Sequence, residues 1–235
     1  MTRVAAVDCG TNSIRLLIAD LDASGVLHDL VRTREIVRLG EGIDRTGSFS
    51  AAALERTLAV IRNYAELCRE YEVERIRFVA TSATRDAANR QEFTDAVLHI
   101  LGVTAEVIPG TEEAELSFRG ALMALAQPQK SSEASDKTQQ AETQHLIIDL
   151  GGGSTELVLG TSAPHSAYSM DIGCVRMTER HILHDPALPE ELDRIRVDVN
   201  QALDVATKSV DIGMASEVIG VAGTITTITA HALQL

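Results

Sequence analysis

Basic charge is what this 235-residue sequence is short of: 21 Lys and Arg stand against 34 Asp and Glu, a formal net charge of −13. That balance argues against broad binding to a nucleic-acid polymer or a membrane, which needs a basic face. Cysteine is scarce too. Cys9, Cys68 and Cys174 are odd in number and widely spaced, so they match neither a disulfide framework nor a zinc motif. The expectation is reduced, mostly buried thiols in a cytoplasmic protein. No basic-then-apolar signal segment opens the sequence, and no apolar run approaches membrane-spanning length. What is there, 45% apolar and 23% charged residues, is ordinary globular composition, enough for one large or two modest domains.

The most informative stretch is Leu146 to Gly160 (LIIDLGGGSTELVLG). Short apolar runs on either side of a glycine turn predict two strands of a tight hairpin. Gly151, Gly152 and Gly153 allow positive φ and leave no side chains in the way of an incoming group, and successive N–H groups in such a turn form an anion-binding concavity. Asp149 and Glu156 flank it as hard oxygen ligands for a divalent cation accompanying a phosphate. A plain hairpin would explain one such turn, but there is a second copy. Val4 to Asp20 carries Asp8, Gly10 and Ser13 where the first stretch has Asp149, Gly151 and Ser154. Matching strand–turn–strand units predict a duplicated domain with a phosphate turn from each half.

Between them, His28 to Leu39 alternates as a third strand, and Ser50 is placed to cap a helix with apolar positions Leu54, Leu58, Ile61, Leu67 and Tyr71. A short strand from Ile76 to Ala80 runs into small hydroxyl residues and then Arg85, at the usual ligand edge of an α/β sheet. Arg85 could bind phosphate bidentately or simply pair with a surface carboxylate. After a strand at Val103 to Ile108, Thr111 is read as the cap of a helix whose buried stripe is Ala114, Phe118, Ala121, Leu122 and Leu125. Its Glu112, Glu113 and Glu115 suit the macrodipole without any function. Residues 127–144 turn polar and read as a linker or loop, which sets domains at 1–126 and 145–235. The second half then repeats the order: a strand at Ser166 to Ile172, a helix from Gly173 with Arg176 near its start, a long helix from Pro189, a strand at Glu217 to Val221 and a helix from Gly223. The closing strand and helix of the first half have no counterpart.

Taken together, Val7 to Ser13 (VDCGTNS), Ala80 to Asn89 (ATSATRDAAN), Pro109 to Ala114 (PGTEEA), Ile148 to Glu156 (IDLGGGSTE), Gly173 to Arg176 (GCVR) and Gly223 to Thr227 (GTITT) resemble the Ppx/GppA family of exopolyphosphatases and guanosine pentaphosphate phosphohydrolases, within the actin-like ATPase superfamily. The motifs occur in family order over nearly the whole sequence. The resemblance implies two RNase H-like α/β domains with mixed sheets and a site in the cleft between them, the second domain lacking its last strand and helix because family members run on beyond this point. It places the catalytic glutamate on Glu113, metal-associated carboxylates on Asp149 and Glu156, and a phosphate-binding arginine on Arg85. Phosphate-cradling turns fall on Asn12 and Ser13, and on Gly152, Gly153 and Ser154. It also implies Mg²⁺ or another divalent cation, and a homodimer.

These readings predict a hydrolase that releases terminal phosphate from polyphosphate by metal-assisted in-line attack of water. The acidic balance and the absence of extra helical domains favour short chains. A guanosine pentaphosphate (pppGpp) phosphohydrolase and a non-catalytic alarmone-binding sensor are the alternatives, with a kinase of the same superfamily behind them.

Overall fold

The computed structural model describes residues 1–126 and 143–235; the expected polar linker falls almost wholly outside them. Two compact units, Met1–Ile108 and Pro109–Leu235, make up the chain.

In the first unit β1 (Thr2–Cys9), β2 (Ser13–Leu21) and β3 (Leu27–Ile36) form an antiparallel meander, and β4 (Arg75–Ala80) and β5 (Ala105–Val107) add in parallel, giving the order β3-β2-β1-β4-β5. Helices α1 (Ile43–Thr46), α2 (Ala51–Glu70), α3 (Ser82–Asp86) and α4 (Arg90–Leu101) complete it. Alternation drives the sheet core: Ile14, Leu16 and Ile18 are inward and fully buried, with Phe78 and Phe93. Ser50 caps α2 as its position predicts, accepting a hydrogen bond from the Ala53 N–H. Burial pushes the Cys9 and Cys68 thiols up, which keeps them protonated and unreactive.

The second unit repeats the plan. Strands β6 (His145–Leu150), β7 (Thr155–Gly160) and β8 (Pro164–Met170) form the meander and β9 (Glu217–Val221) adds in parallel to β6, in the order β8-β7-β6-β9. Among the described residues it is the first sheet without a fifth strand. Helices α6 (Cys174–His181) and α7 (Pro189–Ala206) cover one face through Leu146, Leu157, Met170, Met177 and Ala206. Helix α8 (Ala222–Ala232) follows β9. The expected α/β class with two mixed sheets is what the chain adopts.

One boundary differs from the expectation. Helix α5 (Gly110–Ala126), assigned by chain order to a first domain of 1–126, belongs to the second unit. Its Ala114, Phe118 and Ala121 pack on Ile147 and Val158 of β6 and β7. Periodicity shows that a helix buries a stripe but not which sheet receives it. Helix α5 also starts a residue before Thr111, so Thr111 sits in the first turn instead of capping it; the Pro109 carbonyl accepts from the Glu112 and Glu113 N–H groups, each at 3.1 Å.

Candidate active site

Both glycine turns close with the same hydrogen bond. The Gly10 N–H donates to the Ser13 carbonyl at 3.0 Å, and the Gly151 N–H donates to the Ser154 carbonyl at 3.0 Å. The positive-φ glycines are Gly25, Gly42, Gly47 and Gly102, so the expected left-handed backbone at 151–153 is not what selects glycine there. Close approach is. A Cβ on Gly151 would lie 2.9 Å from the Ser154 carbonyl oxygen, and one on Gly173 would lie 2.5 Å from the Gly152 carbonyl.

In the second unit the strands set a polar row across the sheet. Asp149 of β6 is opposite Glu156 of β7, and Glu156 is opposite Ser169 of β8. Directly opposed residues share a face, and this face is the one α5 covers. The next row down that face, Ile147, Val158 and Ala167, is apolar and carries the helix. With α5 held there, Ser117 donates from its hydroxyl to Asp149 Oδ2. Glu113, one turn earlier, brings its charge close enough to raise the Glu156 pKa.

Glu156 is 1% exposed. Burial, the Glu113 charge and the Asp149 charge push its carboxyl up to about 8, against hydrogen bonds from Ser169 and Ser154 that pull it down. The Ser169 hydroxyl donates to Glu156 Oε1 at 2.7 Å. Like-charged carboxylates across a strand pair, one of them buried, cost folding free energy, and a strongly perturbed group of this kind marks a candidate functional site. The sequence pointed to Glu113, Asp149 and Glu156, and the structure brings all three together within one unit. It adds Ser117 and Ser169, which were not anticipated. Strand register identifies Ser169, and the i, i+4 spacing from Glu113 identifies Ser117.

The first unit holds its own candidates at the edge where the parallel strands β1, β4 and β5 end. Asn12 and Ser13 are half-buried in the first turn, and the Asn12 carbonyl accepts from the Val37 and Arg38 N–H groups at 3.0 and 2.9 Å. Thr11 Oγ1 and Ser82 Oγ lie 2.8 Å apart, tying the turn to α3. Arg85, on α3, donates from Nη1 to the Ile108 carbonyl at 3.0 Å, which spends one of its five N–H donors on the end of the neighbouring strand.

A duplicated mixed-sheet unit, a glycine turn closed by the same hydrogen bond in each copy and a buried Glu156 carboxyl with Asp149 and Glu113 beside one of them fit an enzyme that works on phosphate groups. The chain belongs to the Ppx/GppA phosphatase family, whose model matches residues 17–234, and is a phosphoanhydride hydrolase. It is 47% identical to Exopolyphosphatase 2 of Mycobacterium tuberculosis over all of its own length and 72% of that protein. Among solved structures, an exopolyphosphatase-like protein is 47% identical, with a TM-score of 0.89 over 100% of this chain and 70% of that one. The Aquifex aeolicus Ppx/GppA enzyme is 31% identical, with a TM-score of 0.74 over 100% of this chain and 72% of that one.

Proposed function

We propose that the protein removes the terminal phosphate of short polyphosphate chains by in-line attack of water. The observation that carries this is the buried Glu156 carboxyl paired across the strands with Asp149, with Glu113 beside it, next to the Gly151–Ser154 turn. The name of the Mycobacterium tuberculosis relative supports polyphosphate as the substrate class. The net charge of −13 favours short chains, because a long polyanion requires an extended basic groove.

Glu113 orients the attacking water and accepts its proton. The N–H groups of Gly152, Gly153 and Ser154 hold phosphoryl oxygens as charge spreads over them; Asn12, Ser13 and Arg85 are assigned the same task on the first unit. Asp149 and Glu156 fit a divalent cation by their chemistry: two hard carboxylates in a pair whose repulsion a cation would relieve. Among the described residues no group of three or more His, Cys, Asp and Glu is arranged to hold a metal ion by itself. When bound, that ion supplies charge neutralisation on the phosphate.

Phosphate release with Mg²⁺ from short polyphosphate, long polyphosphate and pppGpp tests the reading. Short polyphosphate should give the highest kcat/KM, and Glu113→Gln should abolish turnover while binding persists. Release from pppGpp alone would replace polyphosphate as substrate, and tight pppGpp binding without release would make the protein a sensor. A Glu113→Gln variant with the wild-type rate would remove Glu113 from its role.

A further inference from the structure

The start of α6 is spent on the glycine turn. The Cys174 N–H donates to the Gly151 carbonyl at 3.1 Å, and the Val175 and Arg176 N–H groups donate to the Gly152 carbonyl at 2.9 and 3.1 Å. The Gly153 carbonyl accepts from a side chain instead, Arg176 Nε, at 2.7 Å. Three successive carbonyls are therefore drawn toward α6. The only cis peptide bond among the described residues is Asp185–Pro186, so these peptides are trans, and in a trans peptide the C=O and the following N–H point in opposite directions. Fixing the carbonyls of Gly151, Gly152 and Gly153 thus turns the N–H groups of Gly152, Gly153 and Ser154 away from α6. Successive N–H groups of the turn thereby face one side, as binding of an anion by a turn requires.

The first unit does the same with backbone alone. The Gly40 N–H donates to the Thr11 carbonyl at 2.9 Å, and Val37 and Arg38 hold the Asn12 carbonyl. With the two hairpins aligned on their turn hydrogen bonds, Asn12 corresponds to Gly153. The carbonyl that the first unit fixes with two peptide N–H groups is fixed in the second by one guanidinium nitrogen.

We infer that Arg176 is a positioning residue: through Nε it holds the Gly153 carbonyl, and so aims the Ser154 N–H at the phosphate. An arginine beside a phosphate turn would ordinarily be taken for a phosphate ligand, acting by charge. The two roles separate by bond count. Glutamine carries its side-chain nitrogen on Cδ, as arginine carries Nε, so Arg176→Gln keeps a donor at the right place without charge. Arg176→Lys keeps the charge and puts a methylene there.

The inference rests on the phosphate reading of this turn, and its test has two readouts: steady-state phosphate release, and calorimetric binding of inorganic tripolyphosphate with Mg²⁺. Arg176→Met and Arg176→Lys should lose roughly tenfold or more in kcat/KM and in tripolyphosphate affinity, while Arg176→Gln stays within about threefold of wild type. Gly173→Ala, which pushes α6 off the turn without touching a charge, should reproduce the Arg176→Met loss, and the double variant should fall short of the product of the two. A Lys variant that works beside a Gln variant that fails would overturn the proposal in favour of direct charge. So would unchanged tripolyphosphate affinity in Arg176→Met. If the wild-type protein binds tripolyphosphate but releases no phosphate from any substrate, the catalytic reading fails while the binding series still decides the role of Arg176.

Discussion

Asp149 stands opposite Glu156 across β6 and β7, at the register where the first hairpin sets Asp8 against Arg15. In the first unit that position makes an ordinary ion pair, Arg15 Nη1 to Asp8 Oδ2 at 3.3 Å, exposed and of small energetic weight. In the second the cation has given way to a second carboxylate, and that carboxylate is buried. The duplicated frame is thus stable with opposite charges at this register, and the like-charged version is a local cost concentrated at the candidate site.

The cost predicts a pH dependence. The Glu156 carboxyl, raised to about 8 from an ordinary value of 4.5, binds a proton in the folded state that the unfolded state has lost. Stability from this group is therefore complete below about pH 4.5 and falls as pH rises toward 8. Glu156→Gln removes the slope. Without divalent cations the variant should match wild type near pH 5 and exceed it near pH 8 by on the order of a few kcal/mol. Urea unfolding at the two pH values measures this, and parallel profiles would contradict it. If Glu156 holds the metal as proposed, the same variant should also lose phosphate release.

Ser169 gives a prediction with a direction. Its hydrogen bond lowers the Glu156 pKa, so Ser169→Ala should move that pKa further up. Without divalent cations, the loss of stability with rising pH then extends to higher pH in urea unfolding, and Ser169→Thr, which keeps the hydroxyl, should leave the profile in place. An unmoved profile in the alanine variant would show that the bond does not hold the Glu156 pKa down.

Phe118 is fully buried under α5. Phe118→Ala should cost about 3–5 kcal/mol, and because the same helix carries Glu113 and Ser117, kcat should fall even at temperatures where the variant is folded. Thermal melts and initial rates on one preparation test both halves of this statement.

Glu191 lies away from the polar row and serves the fold. It accepts from the Leu183 and Leu188 N–H groups at 2.9 Å each, and its Oε1 is 2.8 Å from His184 Nδ1. The His184 contact first, then the backbone bonds, hold its carboxyl down at about 2. A depressed acid contributes stability above its unfolded pKa and loses it as pH falls through the folded value. Glu191→Gln should lower Tm at pH 7, with the difference from wild type shrinking between about pH 4.5 and pH 2, and should leave kcat/KM unchanged.

Much of this was legible in the residues. Period-two burial located the hairpins, Pro189 opened α7 where its fixed φ suits the first turn, and Asp149 to Glu156 announced a turn with two carboxylates. The receiving sheet of α5 was not legible, because Ala114, Phe118 and Ala121 would suit either core. Ser117, Ser169 and the Nε of Arg176 were missed for a related reason: each matters through a partner far off in sequence that only strand register or helix docking supplies. Glycine at 151 was expected for its φ and proved necessary for its missing Cβ, and Gly173 is held to glycine by the same kind of close approach.

Helix α5 has a last consequence. Because it rests on Ile147 and Val158, the spacing among Glu113, Asp149 and Glu156 is set by a handful of apolar contacts inside residues 109–235. Their mutual geometry inherits the stiffness of a close-packed core. A methyl group added or removed beneath the helix therefore acts on the carboxylates like a change of bond length in the reagent itself, and the chemistry can be tuned by substitutions that touch no charged atom.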